Sequence, residues 1–423
     1  MIWANFLHIY QPANQIKDIF DRVVSECYLP LFQGLVDNPK AKVTLNINAA
    51  LTERFVDYPE VLTKLKKVAN NRQIEFTDSA KYHTLLPFLP EAEIERQIKL
   101  NRETNQKIIG EAYAPVGFFP PEMAYSPKLL PILQRLGYKW LIIDEIAYNG
   151  KLNQLNKNTS YQIKGTNIAA FFRERGPSNL IMSAMVRHEA DIREYLNDYD
   201  KKDYMVTGMD GETFGHHRPG LQTLLTELLT SKDFDHKFFS ELIGQYEVEE
   251  VSPIVSTWAS SQKDIEDQIQ FISWDDPANE IHRLQWELFN LVLKSPDSNR
   301  ELLDIGLASD QFFWASAKPW WSLEQIELGA WTLLSASHNE KTFDLYLKII
   351  AKAFEWQRSG KVRELSHDMK EASRIPFKDK TEKEPWVYNA FIDLMKGEMK
   401  KAAEKENYEE ALLWRDAIWK LET

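Results

Sequence analysis

The sequence predicts an α/β fold in which parallel β/α units are followed by a run of helices. Over roughly the first 250 residues, short apolar or β-branched runs alternate with longer polar stretches of helical period, the pattern of consecutive βα units. Near residue 250 the alternation stops. From about Ile265 to Arg358 the chain reads as long amphipathic helices carrying many tryptophans, punctuated by Pro253, Pro277, Pro296 and Pro319. A third observation, the ionisable residues placed just past the expected strands, bears on function.

Seven strands are expected, at Ile2–Leu7, Lys42–Asn46, Gln73–Phe76, Val116–Phe119, Trp140–Ile143, Ile168–Phe172 and Tyr204–Thr207, with helical patterns such as Glu91–Ile109 and Pro127–Leu136 between them. His8 follows the first strand and Glu75 lies near the end of the third. Glu122 follows the fourth, Asp144 and Glu145 the fifth, Arg173 the sixth and Asp210 the seventh. In a parallel β/α barrel the carboxyl ends of the strands converge on one face, where catalytic groups collect. The polar stretch Pro376–Pro385 reads as a linker, and Phe391–Glu422 as a helical hairpin. The expected domains are therefore residues 1–250, 251–375 and 390–423.

Composition narrows the function. The chain has 423 residues, 43% hydrophobic, with 13 Trp, 16 Tyr and 22 Phe, ample for a buried core and suited to stacking on sugar rings. Its net charge of −12 argues against nucleic acid and anionic membrane surfaces, which want basic patches. Cys27 is the only cysteine, so no intrachain disulfide or CxxC motif can form. The N-terminal MIWANFLHIYQP reads as a first strand, and no apolar run reaches transmembrane length. A cytoplasmic location is expected.

Two motifs carry chemistry. Met209-Asp210-Gly211-Glu212-Thr213-Phe214-Gly215-His216-His217 places two carboxylates around a glycine directly after an apolar strand. Gly117-Phe118-Phe119-Pro120-Pro121-Glu122 halts a strand with two prolines and then presents a carboxylate on a rigid backbone. The bland readings are an acidic turn and a helix-start glutamate. Glycoside hydrolysis needs two carboxyl groups, one at the anomeric carbon and one at the leaving oxygen, and Glu122 with Asp210 are the pair best placed. A metal reading finds little support: there is no His-x-x-x-His, and on a regular element the adjacent His216 and His217 would point apart. No cofactor is expected. Arg173 fits either a residue that orients a carboxylate or a structural ion pair.

The chain resembles glycoside hydrolase family 57, whose members include α-amylases, 4-α-glucanotransferases and branching enzymes. Five regions carry the resemblance in order. The first is His8-Ile9-Tyr10-Gln11-Pro12, where Tyr10 stands in place of a second histidine. The second is Gln73-Ile74-Glu75-Phe76 with His83 and Leu85-Leu86-Pro87, where Arg72 replaces the usual glycine. The third and fourth surround Glu122 and Asp210, with Glu212 also a family position. The fifth is Ser309–Trp314, with Trp314 four residues past Asp310 rather than three. Phe171–Asn179 and Trp274–Trp286 are similar to family sequence as well.

The resemblance implies a (β/α)7 barrel, an incomplete TIM-like barrel, with an α-helical domain completing the cleft. It implies a retaining double displacement on α-1,4-glucans, with Glu122 as nucleophile and Asp210 as acid/base. His8, Gln11, Glu75, His83, Glu212, His216, Asp310 and Trp314 would bind substrate, an α-glucan or maltooligosaccharide. Hydrolysis of the α-amylase type leads, with 4-α-glucanotransfer the nearest alternative. A metal-dependent polysaccharide deacetylase and a silent glucan-binding protein are the other classes, and the chain reads as short for a branching enzyme. Residues from Met399 onward resemble a UVR motif, a hairpin that in its family mediates protein pairing and would give a protein partner or self-association; the alternative is a hairpin that caps the helical region.

Overall fold

The computed structural model describes all residues except 184, 185, 187, 197, 198, 201, 319, 367–384, 409, 410, 413, 416, 417 and 419–423. Most of the expected linker and Pro319 fall outside the described residues. The chain divides into two compact units, one of residues 1–316 with 322–354, the other of 317–321 with 355–423. The boundary expected near residue 250 lies inside the first unit.

The first unit is built on a ten-stranded sheet. The strands are β1 (Ile2–Ile9), β2 (Val43–Ile47), β3 (Ile74–Asp78), β4 (Gly117–Phe118), β5 (Trp140–Asp144), β6 (Thr159–Ile163), β7 (Ala169–Arg173), β8 (Tyr204–Asp210), β9 (Asp235–His236) and β10 (Glu247–Val251). The order runs β10-β6-β7-β5-β4-β3-β2-β1-β8, with β9 beside β1. The stretch from β7 through β8 is parallel and contains the seven expected strands. The unexpected strands are β6, which pairs antiparallel with β7, β10, which extends the sheet beyond β6, and the two-residue β9. The sheet curls into the incomplete (β/α)7 barrel.

Strand alternation sorts the core. Ala4 and Phe6 of β1, Trp140 and Ile142 of β5, Phe171 of β7 and Tyr204 and Val206 of β8 form one apolar cluster. Their neighbours Trp3, Leu7, Ile9, Met205 and Met209 belong to the cluster beneath the helices. The first set fills the barrel interior. Continuing its period of two along β1 and β8 brings His8 and Asp210 to the same inner face, and the register pairs these two residues.

β7 and β8 share no strand ladder, and side chains close that seam. The Glu174 amide donates to the Val206 carbonyl at 2.9 Å. Its carboxylate accepts the Val206 amide at 2.9 Å and the Tyr199 hydroxyl at 2.6 Å. Arg173 Nε donates to the Gly208 carbonyl at 2.6 Å, satisfying edge groups that would otherwise be unpaired. Burial first of all raises the Glu174 carboxyl to about 7, against the opposing bonds from Tyr199 and Val206. Because the folded value lies above the unfolded one, this group's stabilisation is complete below the unfolded value and is lost as pH rises towards 7. Between pH 5 and 8, urea unfolding should show the native chain losing on the order of 1–3 kcal/mol relative to Glu174→Gln. Parallel pH dependences for the two proteins would contradict this role.

After the barrel come the helices Glu280–Leu293, Arg300–Gly306, Asp310–Phe313 and Leu323–Ala336. Asn279 caps the first by accepting from the Ile281 and His282 amides. In the second unit, helix Pro385–Glu404 ends in a turn through Glu406, whose φ is 58°. The Asn407 amide reaches back to Ala402 at 2.9 Å, and the Ala411 amide then bonds the Asn407 carbonyl at 3.1 Å, so the chain re-enters helical geometry. Among the described residues, no helix is long and apolar enough to cross a membrane.

Candidate active site

At the carboxyl ends of the strands lies a cleft of about 320 Å³ lined by Glu122, Asp210, Glu212 and Asp310, with His8, Tyr10, Gln11, His83 and His217 among them. Trp258, Ala259, Trp274, Phe313 and Trp314 form the remaining wall.

Glu122 is held in a left-handed conformation, with φ 60° and ψ 17°. Pro120 and Pro121 stop the strand, and the turn after them bends the carboxylate into the lumen. Such a φ costs a non-glycine residue about 1 kcal/mol or more, and it persists only where its surroundings over-determine it. Trp258 supplies that constraint. Its amide donates to the Glu122 carbonyl at 3.3 Å, and its indole N–H donates to Glu122 Oε2 at 2.8 Å. His83 Nδ1 lies 3.7 Å from Glu122 Oε1.

Asp210 ends β8 level with His8. His8 Nδ1 meets Asn46 Oδ1 at 2.8 Å, and Asn46 Nδ2 donates to Thr77 Oγ1 at 3.0 Å. A polar girdle thus crosses four strands in one layer, a depth set by the register His8–Asn46 and Asn46–Thr77.

The loop after Asp210 rests on a π-helical turn, Val24–Tyr28, an irregularity common at functional sites. Cys27 Sγ donates to the Gly211 carbonyl at 3.1 Å. Tyr28 donates to Glu212 Oε1, which also accepts the Tyr10 amide at 2.9 Å. Gly215, at φ 121°, lies against this turn, where a Cβ would stand 1.9 Å from the Glu26 carbonyl oxygen.

Burial dominates the electrostatics. It raises Glu122 to about 8, helped by the charge of Asp210 and opposed by the Trp258 N–H. It raises Asp210 to about 6, with Arg173 pulling the other way. Glu212 rises to about 8 through burial and Asp210, against the bonds from Tyr28 and Tyr10. Burial lowers His8 to about 4 and His83 well below its ordinary value, so both rings are neutral at pH 7. The site therefore holds a cluster of carboxyls that share protons near neutrality.

Residues 4–254, more than half of the chain, match the model of glycosyl hydrolase family 57. The chain belongs to this family. Residues 389–423 match the UvrB/uvrC motif. Among curated relatives, an α-amylase of Pyrococcus horikoshii is 26% identical over 239 residues, 56% of this chain and 37% of that protein. A 4-alpha-glucanotransferase of Thermococcus litoralis is 23% identical over 213 residues, 49% of this chain and 32% of that protein. The chain thus spans about a third of the length of these relatives. The solved structure of the Thermococcus litoralis 4-alpha-glucanotransferase aligns with a TM-score of 0.59 at 15% identity, covering 79% of this chain and 59% of that one. A family 57 branching enzyme from Thermococcus kodakaraensis aligns with a TM-score of 0.58 at 17% identity, covering 86% of this chain and 95% of that one. These alignments show the shared fold.

Of the residues that the family 57 regions single out, Glu122, Asp210, His8, Gln11, His83, Glu212, Asp310 and Trp314 meet in the one cleft. Glu75 does not. The register pairs it with Thr44, which pairs with Phe6, two residues below the His8 layer and so about 7 Å deeper in the barrel. Its carboxylate accepts the Ser240 amide at 3.3 Å and lies 3.4 Å from the Thr44 hydroxyl. His216 turns outward to Glu26, with 2.5 Å between Nδ1 and Oε2, and His217 faces the cleft in its place.

Arg173 is a structural ion-pair residue: its guanidinium binds Asp144 at 3.1 Å and braces β8. Asp310 opens the short helix Asp310–Phe313, which the Trp274–Trp286 segment cradles. His282 Nε2 approaches the Phe312 carbonyl at 2.9 Å, and Gln285 donates to the Gln311 carbonyl at 2.9 Å. Sequence reasoning missed Trp258, which lies about fifty residues past the last expected strand and shortly after the unexpected β10, where no periodicity marks it. Among the described residues, no group of three or more His, Cys, Asp or Glu is placed to hold a metal ion.

Proposed function

We propose that this chain is a retaining α-glucan-active enzyme in which Glu122 attacks the anomeric carbon and Asp210 serves the leaving oxygen. The observation that carries this reading is the convergence of Glu122 and Asp210, from different strands, on one cleft walled by Trp258, Trp274, Phe313 and Trp314. In the first step, Glu122 Oε forms a bond to the anomeric carbon as the glycosidic C–O bond breaks, and Asp210 gives its proton to the departing oxygen. In the second, Asp210 removes a proton from water or a sugar hydroxyl, which attacks the same carbon and releases Glu122.

Burial raises both carboxyls, which favours a proton held at Asp210 for the leaving oxygen, while the positive charge that develops at the anomeric carbon stabilises Glu122 as the carboxylate. The lead reaction is hydrolysis of α-1,4-glucans; 4-α-glucanotransfer uses the same residues and differs only in the acceptor.

Incubation with maltopentaose separates the readings. Shorter products alone mean hydrolysis, and longer oligosaccharides mean transfer. Binding without any reducing ends or rearranged products would leave a silent glucan-binding protein. Activity that survives exhaustive chelation would exclude a metal-dependent deacetylase. The same reading gives the C-terminal hairpin, where the UvrB/uvrC motif matches, a role in protein pairing. A fall in the number of chains per sedimenting particle on removing residues 389–423 would reveal self-association, and an unchanged number would exclude it.

A further inference from the structure

Tyr10 makes three kinds of contact in the cleft. Its amide donates to Glu212 Oε1 at 2.9 Å, and its phenol donates to Asp310 Oδ2 at 2.8 Å. Its ring lies nearly parallel to that of His83, with centroids 4.2 Å apart and planes inclined at 17°. His83 is bonded to the residue preceding Asp310: Nδ1 meets Ser309 Oγ at 3.0 Å, and the Ser309 amide donates to the His83 carbonyl at 3.2 Å. Two stacked rings from the barrel therefore pin the start of the helix that Asp310 opens, 300 residues past Tyr10 in the chain.

Asp310 needs that support. It is half-buried, and the desolvation that results raises its carboxyl, while the phenol is the first influence working to keep it ionised. A carboxylate lining a cleft is a strong acceptor for sugar hydroxyls only if it stays charged and oriented, and a charge-assisted donor secures both. The family pattern has histidine where this chain has Tyr10. A phenol reaches farther from the backbone than either imidazole nitrogen, which brings residue 10 within hydrogen-bond distance of Asp310.

We propose that Tyr10 is a positioning residue for substrate, holding Asp310 as an oriented carboxylate that accepts hydrogen bonds from the hydroxyls of a glucosyl unit in the cleft. This rests on the α-glucan reading. Glu122→Gln provides a background in which maltopentaose is bound without turnover, and calorimetry reads the affinity. In that background Tyr10→Phe, which keeps the stacked ring and removes one oxygen, weakens maltopentaose binding about tenfold, the scale of one hydrogen bond to a charged group. Tyr10→His gives the same loss, and a thermal melt confirms that each variant is folded.

Asp310→Asn also weakens binding, and adding Tyr10→Phe to it costs nothing further, because the phenol acts through the carboxylate. A general loosening of the cleft would instead weaken both backgrounds alike. Unchanged affinity in folded Tyr10→Phe and Tyr10→His, or additive losses with Asp310→Asn, overturns the proposal. Failure of the α-glucan reading shows differently, as a chain with Glu122 intact that leaves maltopentaose unchanged.

Discussion

Glu122→Gln lowers kcat on maltooligosaccharides by on the order of 10⁴-fold or more, the scale of removing a nucleophile, and leaves oligosaccharide binding in place. The amide keeps the shape of the carboxylate but cannot form the glycosyl ester. The site is built around this one group. Two prolines precede it, its backbone is left-handed, and Trp258 binds it through both amide and indole. The energy stored in that backbone serves only to aim Oε at the cleft. Steady-state kinetics on maltopentaose, with calorimetry on the variant, checks both halves. A variant retaining a tenth or more of the native kcat would remove Glu122 from the chemistry.

Asp210→Asn produces the second large effect, which depends on the leaving group. With a natural glycoside the loss is about 10²–10⁴-fold, the contribution of general acid catalysis. With an aryl maltoside whose phenol leaves without protonation, the first step loses far less. The native pH profile of kcat/KM is a bell with limbs near 6 and 8, belonging to the carboxyl cluster as a whole. Activity falls on the acid side as the nucleophile is protonated, and on the alkaline side as the acid loses its proton. Asp210→Asn cannot lose that proton, so its profile lacks the alkaline limb. Equal losses on both substrates with the bell intact would assign Asp210 a structural role.

Much of the fold was legible because its centre obeys simple periodicities. The seven parallel strands are apolar runs buried on both faces, bounded by turns, and each was placed within three residues at either end. The added strands are less apolar or very short. β10 is Glu-Val-Glu-Glu-Val, largely exposed at the sheet edge, and reads as a charged stretch. β6 alternates buried and half-buried residues, and β9 is two residues long.

At the site, Glu122 and Asp210 stood out because a strand, a sharp backbone constraint and a carboxylate coincide in each. Depth along a strand is a different matter. Glu75 points inward as the alternation requires, yet register places it beneath the cleft, and register is a property of strand pairs that one strand's sequence does not carry. That His217 rather than His216 lines the cleft was hidden for a related reason. The loop after Asp210 takes its course from the π-helical turn at Val24–Tyr28, which lies almost 200 residues away in sequence. Trp258 is held by Glu122 itself, so its place follows from tertiary contact rather than local pattern.

The most direct measurement is to trap the intermediate. A fluorinated α-glucosyl fluoride, whose ring fluorine slows breakdown of the glycosyl-enzyme, is incubated with the native chain, and the labelled peptide is mapped by mass spectrometry. The label should fall on Glu122 within Gly117-Phe118-Phe119-Pro120-Pro121-Glu122-Met123, and be absent from Glu122→Gln. Stoichiometric label on Glu212, Asp310 or any other residue, or undiminished labelling of the Gln variant, would contradict the assignment of Glu122 as the nucleophile.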